Sequence, residues 1–387
     1  MGFLRSAVEW LAAGVLACLW PVQRVVALVL GRRRWSVWAG RPIINLAVNA
    51  RAERLLGIRS VSVVTQTYYI TRAFDLQLAS ASQPRAWRYA MAWLGLAGTL
   101  LLGRRIHTFH DAGFLPPERR FLFNRRELWL YHLFGLEHVV WTYGADVRTR
   151  ATTQALGEPN CCTHCDAVGL HCICDEDAAR RNRDRVHRDA SLVVAMGDMR
   201  EYVPGARDDL FFWPVDFRER KFATASVPQP HEGPLRVVHA PNHPQFKGSA
   251  YLIAAIDQLQ AEGVAIELVR VERVPNEQAL AIYRTADIVF DQCLIGFHGY
   301  FALEAMALGK PVMVFIRKPS YLLEPGECPL VNVTRETIAA RLREFANNRA
   351  ALADIGRRSR EYMARYYGLD AFAQRLMAAY RREGIQP

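Results

Sequence analysis

The chain has 387 residues, of which 51% are apolar and 22% charged. That composition excludes a disordered or fibrous protein, and the length suffices for two domains with separate cores. The formal net charge of +11 is carried almost wholly by Arg, because Lys occurs only at positions 221, 247, 310 and 318. Such a balance favours anionic partners, although an Arg-rich proteome produces the same excess. Five of the eight Cys fall between positions 161 and 174. This is not the even spacing of a small secreted disulfide scaffold, and it suggests a reducing compartment with a local metal site.

At the N-terminus, residues 10–20 form an apolar run preceded by Glu9 and stopped by Pro21. A second run over 25–30 ends at Arg32, Arg33 and Arg34. Neither reaches the roughly 20 residues that a spanning helix needs. Glu9 and the lack of a small-residue cleavage site also argue against a signal peptide. Residues 1–34 therefore read as an interfacial segment, with Trp at its edges and Arg behind it, lying on the inner face of a membrane. The apolar stretch 91–103, bracketed by Arg88 and Arg104, would add to that surface. Buried core helices are the competing reading for both stretches.

From residue 35 short β-branched runs alternate with helical stretches, the pattern of βαβ units and a parallel sheet. The pattern predicts a strand ending at Trp38 and further strands over 60–66, 105–110, 138–143 and 191–196. It also predicts a helix over 43–56 and a solvated, highly charged helix over 175–188. Residues 214–233, rich in Pro and charge, read as an interdomain linker. A second alternation follows, with strands over 235–240, 265–271, 287–291 and 311–316. Its helices cover 249–262, 276–285 and 301–308, the last closed by Gly309. The tail over 337–382 reads as two amphipathic helices broken near Gly368.

Two α/β halves in sequence imply a cleft lined by strand carboxyl ends and helix amino ends, which suits an anionic nucleotide. In the loop 241–248, Lys247 stands just before Gly248 at a helix start, where an ammonium can neutralise a diphosphate; Asn242 and His243 flank it. Gly296, His298, Gly299 and Tyr300 form a glycine-containing entrance to the next helix, permitting close backbone approach to a ligand. Glu304 then falls in that helix's first turn, where its carboxylate can accept hydrogen bonds from a ribose or sugar diol. A favourable partner for the helix dipole is the simpler role for such a Glu.

The stretch 303–312 (LEAMALGKPV) resembles the donor-binding signature of GT-B glycosyltransferases, in particular glycosyltransferase family 4. Lys247, about 57 residues upstream of it, sits where that family places its lysine. The resemblance implies an α/β fold of two Rossmann-like domains facing a central cleft. It implies a nucleotide-sugar donor (UDP- or GDP-linked), retention of anomeric configuration and no catalytic metal. By the same likeness Glu304 would hold the donor ribose and Lys247 the diphosphate. Gly40, the 111–113 loop and the 144–146 loop resemble the family's N-domain loops, which makes His110, Asp111 and Asp146 candidates for contacting acceptor or donor sugar. Where the family usually has a first glutamate this chain has Gly296, and Asn242 replaces a common Arg. The domain plan is then 35–217 for the acceptor domain, 234–366 for the donor domain and 367–387 for a C-terminal helix returning to the first domain.

Within the first domain, 158–176 is a Cys-rich insert. Cys162 and Cys165 supply a knuckle that Cys172 and Cys174 can close into a tetrahedral thiolate site for structural zinc, with His164 and His171 as spare ligands. The close Cys172–Cys174 spacing keeps an iron–sulfur cluster open, and thiols or a disulfide are the plain alternative. The leading functional reading is a retaining transferase for a lipid-linked or surface-polysaccharide acceptor. Its competitors are a soluble transferase for a small molecule or protein, a basic nucleic-acid-binding protein, and a catalytically silent relative. Nucleic acid is not the expected partner, since the Arg residues are spread along the chain and form no recognisable reading element.

Overall fold

The computed structural model describes residues 2–31, 34–67, 71–163 and 165–386, with side chains from residue 6 onward. Met1, Arg32, Arg33 and His164 lie outside the described residues. The chain divides into two compact units. The first comprises Met1–Thr149, Gly169–Phe212 and Ala373–Pro387; the second comprises Arg150–Val168 and Trp213–Phe372.

The first unit holds a parallel sheet of β1 (Trp35–Ala39), β2 (Ser60–Val64), β3 (Leu76–Gln77), β4 (Gly103–Phe109), β5 (Glu137–Trp141) and β6 (Leu192–Val193). The strand order is β3-β2-β1-β4-β5-β6, the doubly wound order in which the chain reverses direction across the sheet between its first and fourth strands. Val37, Ile106 and Val140 send apolar side chains into the core that the helices Arg85–Leu102 and Arg125–Phe134 cover. A carboxylate sits fully buried against the sheet. Glu53, on helix Asn45–Leu55, accepts from Trp38 Nε1 at 2.7 Å, Ser60 Oγ at 2.7 Å, Arg105 Nη1 at 3.1 Å and the Tyr380 hydroxyl at 2.8 Å. Burial alone would raise its pKa, but His107, Arg105 and these donors hold it below the usual carboxylate range.

The apolar N-terminus forms two helices, Gly2–Ala17 and Trp20–Leu30. Among the described residues no single helix is long and apolar enough to cross a membrane; Ser6–Ala17 and Trp20–Leu30 reach that composition only as a pair bent by 44°. One side is docked on the unit. Glu9 makes a buried ion pair with Arg126 at 3.0 Å, Ala13 is fully buried, and Trp10 meets Trp129 edge to face. The other side leaves Leu11, Val15, Val25, Leu28 and Val29 exposed. The buried reading thus describes one side of this segment, and the other side is apolar surface.

The second unit holds a parallel sheet of β7 (Leu235–His239), β8 (Ile266–Arg270), β9 (Ile288–Phe290), β10 (Val312–Val314) and β11 (Val331–Asn332). Its order, β11-β10-β9-β7-β8, is the other common doubly wound order, reversing between β7 and β9.

Four expectations are corrected. Residues 214–233 are no free linker: Phe222 is buried, Ser226 N–H donates to Leu308 O at 2.7 Å, and Arg284 reaches back to the carbonyls of Lys221 and Thr224. The tail has three helices, Ile338–Asn347, Arg349–Tyr362 and Leu369–Arg382, because Asn348 ends one and caps the next by accepting from Ala351 N–H. The charged helix Glu176–His187 is anchored as well as solvated, since its buried Asn182 accepts from Phe123 N–H and donates to His110 O. The Cys-rich insert does not sit whole in the first domain, because Arg150–Val168 belongs to the second unit.

Removing one donor from Glu53 by Tyr380→Phe is expected to cost about 1–3 kcal/mol. Glu53→Ala, which strands Arg105, is expected to cost about 3–5 kcal/mol. Urea unfolding checks both, and unchanged midpoints would contradict the assigned role of the network.

Candidate functional site

In doubly wound sheets ligands gather beyond the strand carboxyl ends, at the point where strand order reverses. In the second unit that point lies between β7 and β9. The loop after β7 carries Lys247 and the loop after β9 carries Gly296 to Gly299. The structure joins them through Asp291, a fully buried residue that sequence reasoning missed. Its Oδ1 accepts from Lys247 Nζ at 2.6 Å and its Oδ2 from Gly299 N–H at 2.6 Å. Gly248 has φ +73° and a Cβ there would lie 2.4 Å from Cys293 Sγ, so the chain beside Lys247 admits no side chain.

The β9 loop is shaped from within by the buried Gln292. Its amide donates to Phe315 O at 2.7 Å and Phe297 O at 3.2 Å, while its carbonyl accepts from the N–H groups of Leu294 and Ile295. Gly296 has φ +97°, where a side chain is strained, and a Cβ would meet Arg317 Nε at 3.0 Å, so Arg317 would have to shift to admit one. Arg317 is itself spent on the carbonyls of Leu156, Gly157 and Pro159, which it fastens within the same unit.

His298 is buried, and burial pulls its pKa down to about 4, so it is neutral at pH 7. Its Nδ1 has no hydrogen-bond partner among the described residues. Tyr300 opens helix Tyr300–Ala307 and donates its hydroxyl to Pro214 O at 3.2 Å. Because the helix starts there, Glu304 falls in its second turn and not its first. Glu304 is buried, accepts from Asn276 Nδ2 at 2.8 Å, and has its pKa pushed up to about 7 by burial. Tyr283 lies near both Glu304 and Asp291, and their charges add to burial in pushing its hydroxyl pKa upward. Asn242 and His243 stay exposed at the loop's outer edge, His243 edge-on to Phe246.

In the first unit the reversal lies between β1 and β4, whose loops carry Gly40 and residues 110–113. Asp111 is fully buried and its Oδ2 accepts from Arg41 Nε at 3.0 Å and Tyr143 OH at 3.0 Å. Asp111 Oδ1 has no partner among the described residues. Asp146 turns its carboxylate onto the N–H groups of Tyr143 and Gly144 at 3.0 Å, and burial with the nearby Asp111 charge pushes its pKa up. His110 donates from Nδ1 to Trp141 O at 3.1 Å and receives His187 Nε2–H at 2.9 Å; burial and His187 pull its pKa down to about 3.

The cysteines do not fit the expected metal centre. Among the described residues no group of three or more His, Cys, Asp or Glu is gathered to hold a metal. Cys162, with Cys161, packs into the apolar core of the second unit, and Cys165 lies in the same unit; Cys172 and Cys174 belong to the first unit. Spacing suggested ligands, but apolar burial takes Cys162 as a core residue.

Burial puts the Glu304 pKa at about 7, and its ionised form is the stronger acceptor. If a nucleotide hydroxyl donates to it, UDP affinity is expected to rise more steeply between pH 6 and pH 8 in the wild type than in Glu304→Gln, as read by calorimetry. A pH-independent wild type would refute the assignment.

No protein-family model and no curated protein matches the sequence. Solved structures do match. Sucrose-phosphate synthase from Thermosynechococcus elongatus is 14% identical, with a TM-score of 0.60 over 90% of this chain and 98% of that one. HepE of Anabaena, solved with UDP and glucose, is 10% identical, with a TM-score of 0.57 over 90% and 100%. WaaG, described as a glycosyltransferase involved in lipopolysaccharide biosynthesis, is 12% identical, with a TM-score of 0.55 over 90% and 99%. At these identities the likeness is one of fold: this chain, with its two parallel α/β sheets, folds as the GT-B glycosyltransferases do.

Proposed function

We propose that the chain is a retaining glycosyltransferase that moves a sugar from a nucleotide-sugar donor to a lipid-linked or surface-polysaccharide acceptor. The observation that carries this reading is the joining of Lys247, Asp291 and Gly299 at the strand reversal of the second unit. An ammonium beside a glycine and the N-terminus of helix Tyr300–Ala307 can receive a diphosphate, which would take over the donors that Asp291 now holds. Glu304 takes the ribose hydroxyls, most strongly in its ionised form above pH 7. The UDP in the HepE structure favours a UDP-sugar over a GDP-sugar here.

In the transfer the bond between anomeric carbon and diphosphate oxygen breaks, and a bond to the acceptor oxygen forms on the same face. The acceptor's proton passes to the departing diphosphate. Lys247 stabilises the charge that gathers on that leaving group. The first unit supplies the acceptor side. Asp111 Oδ1, a buried acceptor atom with no partner among the described residues, suits the incoming hydroxyl. Asp146 and His110 act as positioning residues, since their polar atoms already hold the surrounding backbone or His187.

A screen of UDP- and GDP-sugars for nucleotide release tests the reading. Lys247→Ala and Glu304→Ala are each expected to weaken UDP binding roughly ten- to hundredfold, the worth of a hydrogen bond to a charged group. Asp111→Asn is expected to lower turnover with UDP affinity kept. The proposal fails if no nucleotide sugar binds, or if both donor-site variants match wild type.

The same reading seats the protein peripherally on the cytoplasmic face of a membrane. Leu28 (85% exposed) and Val29 (78%) end a helix whose buried side is fixed to the unit, leaving apolar surface that a bilayer can cover. Cosedimentation with vesicles of mixed anionic and neutral phospholipid is expected to fall at least threefold in Val25→Asp/Leu28→Asp. Equal sedimentation would remove the membrane from the proposal.

A further inference from the structure

Beyond the carboxyl ends of β1, β2 and β4 the first unit carries an open cleft of about 910 Å³, within the range of small-molecule sites. Its walls are largely apolar, with Tyr89, Ala92, Phe114 and Leu115 among them, and Val8 of the N-terminal helix reaches it. The wall from Phe114 onward is rigidly held: the buried Glu127 carboxylate accepts from Phe114 N–H at 2.6 Å and Leu115 N–H at 2.8 Å. Three arginines, Arg41, Arg85 and Arg88, line the same cavity, and no Asp or Glu does.

Arg41 is paired with Asp111. Arg85 and Arg88 have no carboxylate partner among the described residues, although they stand three apart on helix Arg85–Leu102, where like charges repel. Arg88 uses Nη1 on Gln66 Oε1 at 2.5 Å, and its buried Nε has no hydrogen-bond partner among the described residues. A neutral sugar would leave this charge unanswered, while an inorganic anion alone would leave the apolar walls unfilled. An anionic head on an apolar chain answers both.

We propose that this cavity binds an amphiphile carrying a phosphate on an aliphatic chain. Arg85 and Arg88 grip the phosphate as planar hydrogen-bond forks, and the chain lies along Tyr89, Phe114 and Leu115. The proposal rests on the transferase reading only in naming this amphiphile as the lipid portion of the acceptor; the binding itself does not depend on it. The phosphate chemistry is shared by a lipid-phosphate carrier and by a membrane phospholipid, so both sources enter the test.

Dodecyl phosphate below its micelle concentration, dodecyl maltoside and inorganic phosphate are titrated into the full chain by calorimetry. Dodecyl phosphate is expected to bind one to one and at least tenfold more tightly than either control. Arg85→Gln/Arg88→Gln is expected to weaken it at least tenfold, and Ala86→Trp, at an exposed position that lines the cavity, to do so without changing charge. UDP affinity, carried by the second unit, should stay within twofold in all variants. Equal binding of dodecyl phosphate and dodecyl maltoside, or indifference to both sets of substitutions, overturns the proposal. So does an arginine effect confined to phosphatidylglycerol vesicles with none on monomeric dodecyl phosphate, because it assigns the arginines to a bilayer surface. If nucleotide sugars bind while dodecyl phosphate does not, the cavity assignment falls and the transferase reading stands.

Discussion

A carboxylate removed from water has to be surrounded by donors, and Glu53 obtains them from three strands of the first sheet and from the helix Leu369–Arg382. Trp38 comes from β1, Ser60 from β2, Arg105 from β4, and Tyr380 from the C-terminal helix. These are the strands whose far ends carry Gly40, residues 65–66 and the Asp111 loop. Burial pulls the His107 pKa down while the Glu53 charge works against it, and the ring stacks on Trp38 at 3.8 Å. The loops that would receive a substrate thus stand on strands tied to one another by charge as well as by backbone pairing. Loss of any one donor is felt by the others, because none can be replaced by water.

Both sheets are parallel throughout, and this fixes where chemistry can occur. Parallel strands deliver every carboxyl end to one edge, and reversal of strand order opens a crevice there. The second unit fills its crevice edge with a lysine, an aspartate and glycine-containing backbone. The first unit has instead a buried aspartate, arginines and apolar walls. The two edges differ in charge and polarity, although both arise from the same topology.

How much the sequence reveals follows from the range of the interactions. The alternation of β-branched runs and amphipathic stretches located the central strands of both sheets, because their burial leaves a periodic pattern. Of the three two-residue edge strands, β6 lies within an apolar run and was located, while β3 and β11 carry too few residues for any period. Lys247 and Glu304 were legible beside their glycines and helix. Asp291 and Asn276 were not, because their roles come from partners 44 and 28 positions away. The cysteines show the opposite failure: close spacing imitated a metal knuckle, while the burial that decides the fate of Cys161 and Cys162 comes from residues beyond position 234. The glycine at position 296 has a local reason that the sequence does not show, since its backbone is at φ +97° and the Arg317 side chain lies against it.

The division of the chain into alternating pieces has a consequence for how the two units can be separated. The first unit takes Ala373–Pro387 from beyond the whole Trp213–Phe372 portion of the second, and that piece brings the Tyr380 hydroxyl to Glu53. Cutting the chain once at the boundary near residue 212 therefore takes from a buried carboxylate one of its donors, and neither unit is obtained whole by a single truncation.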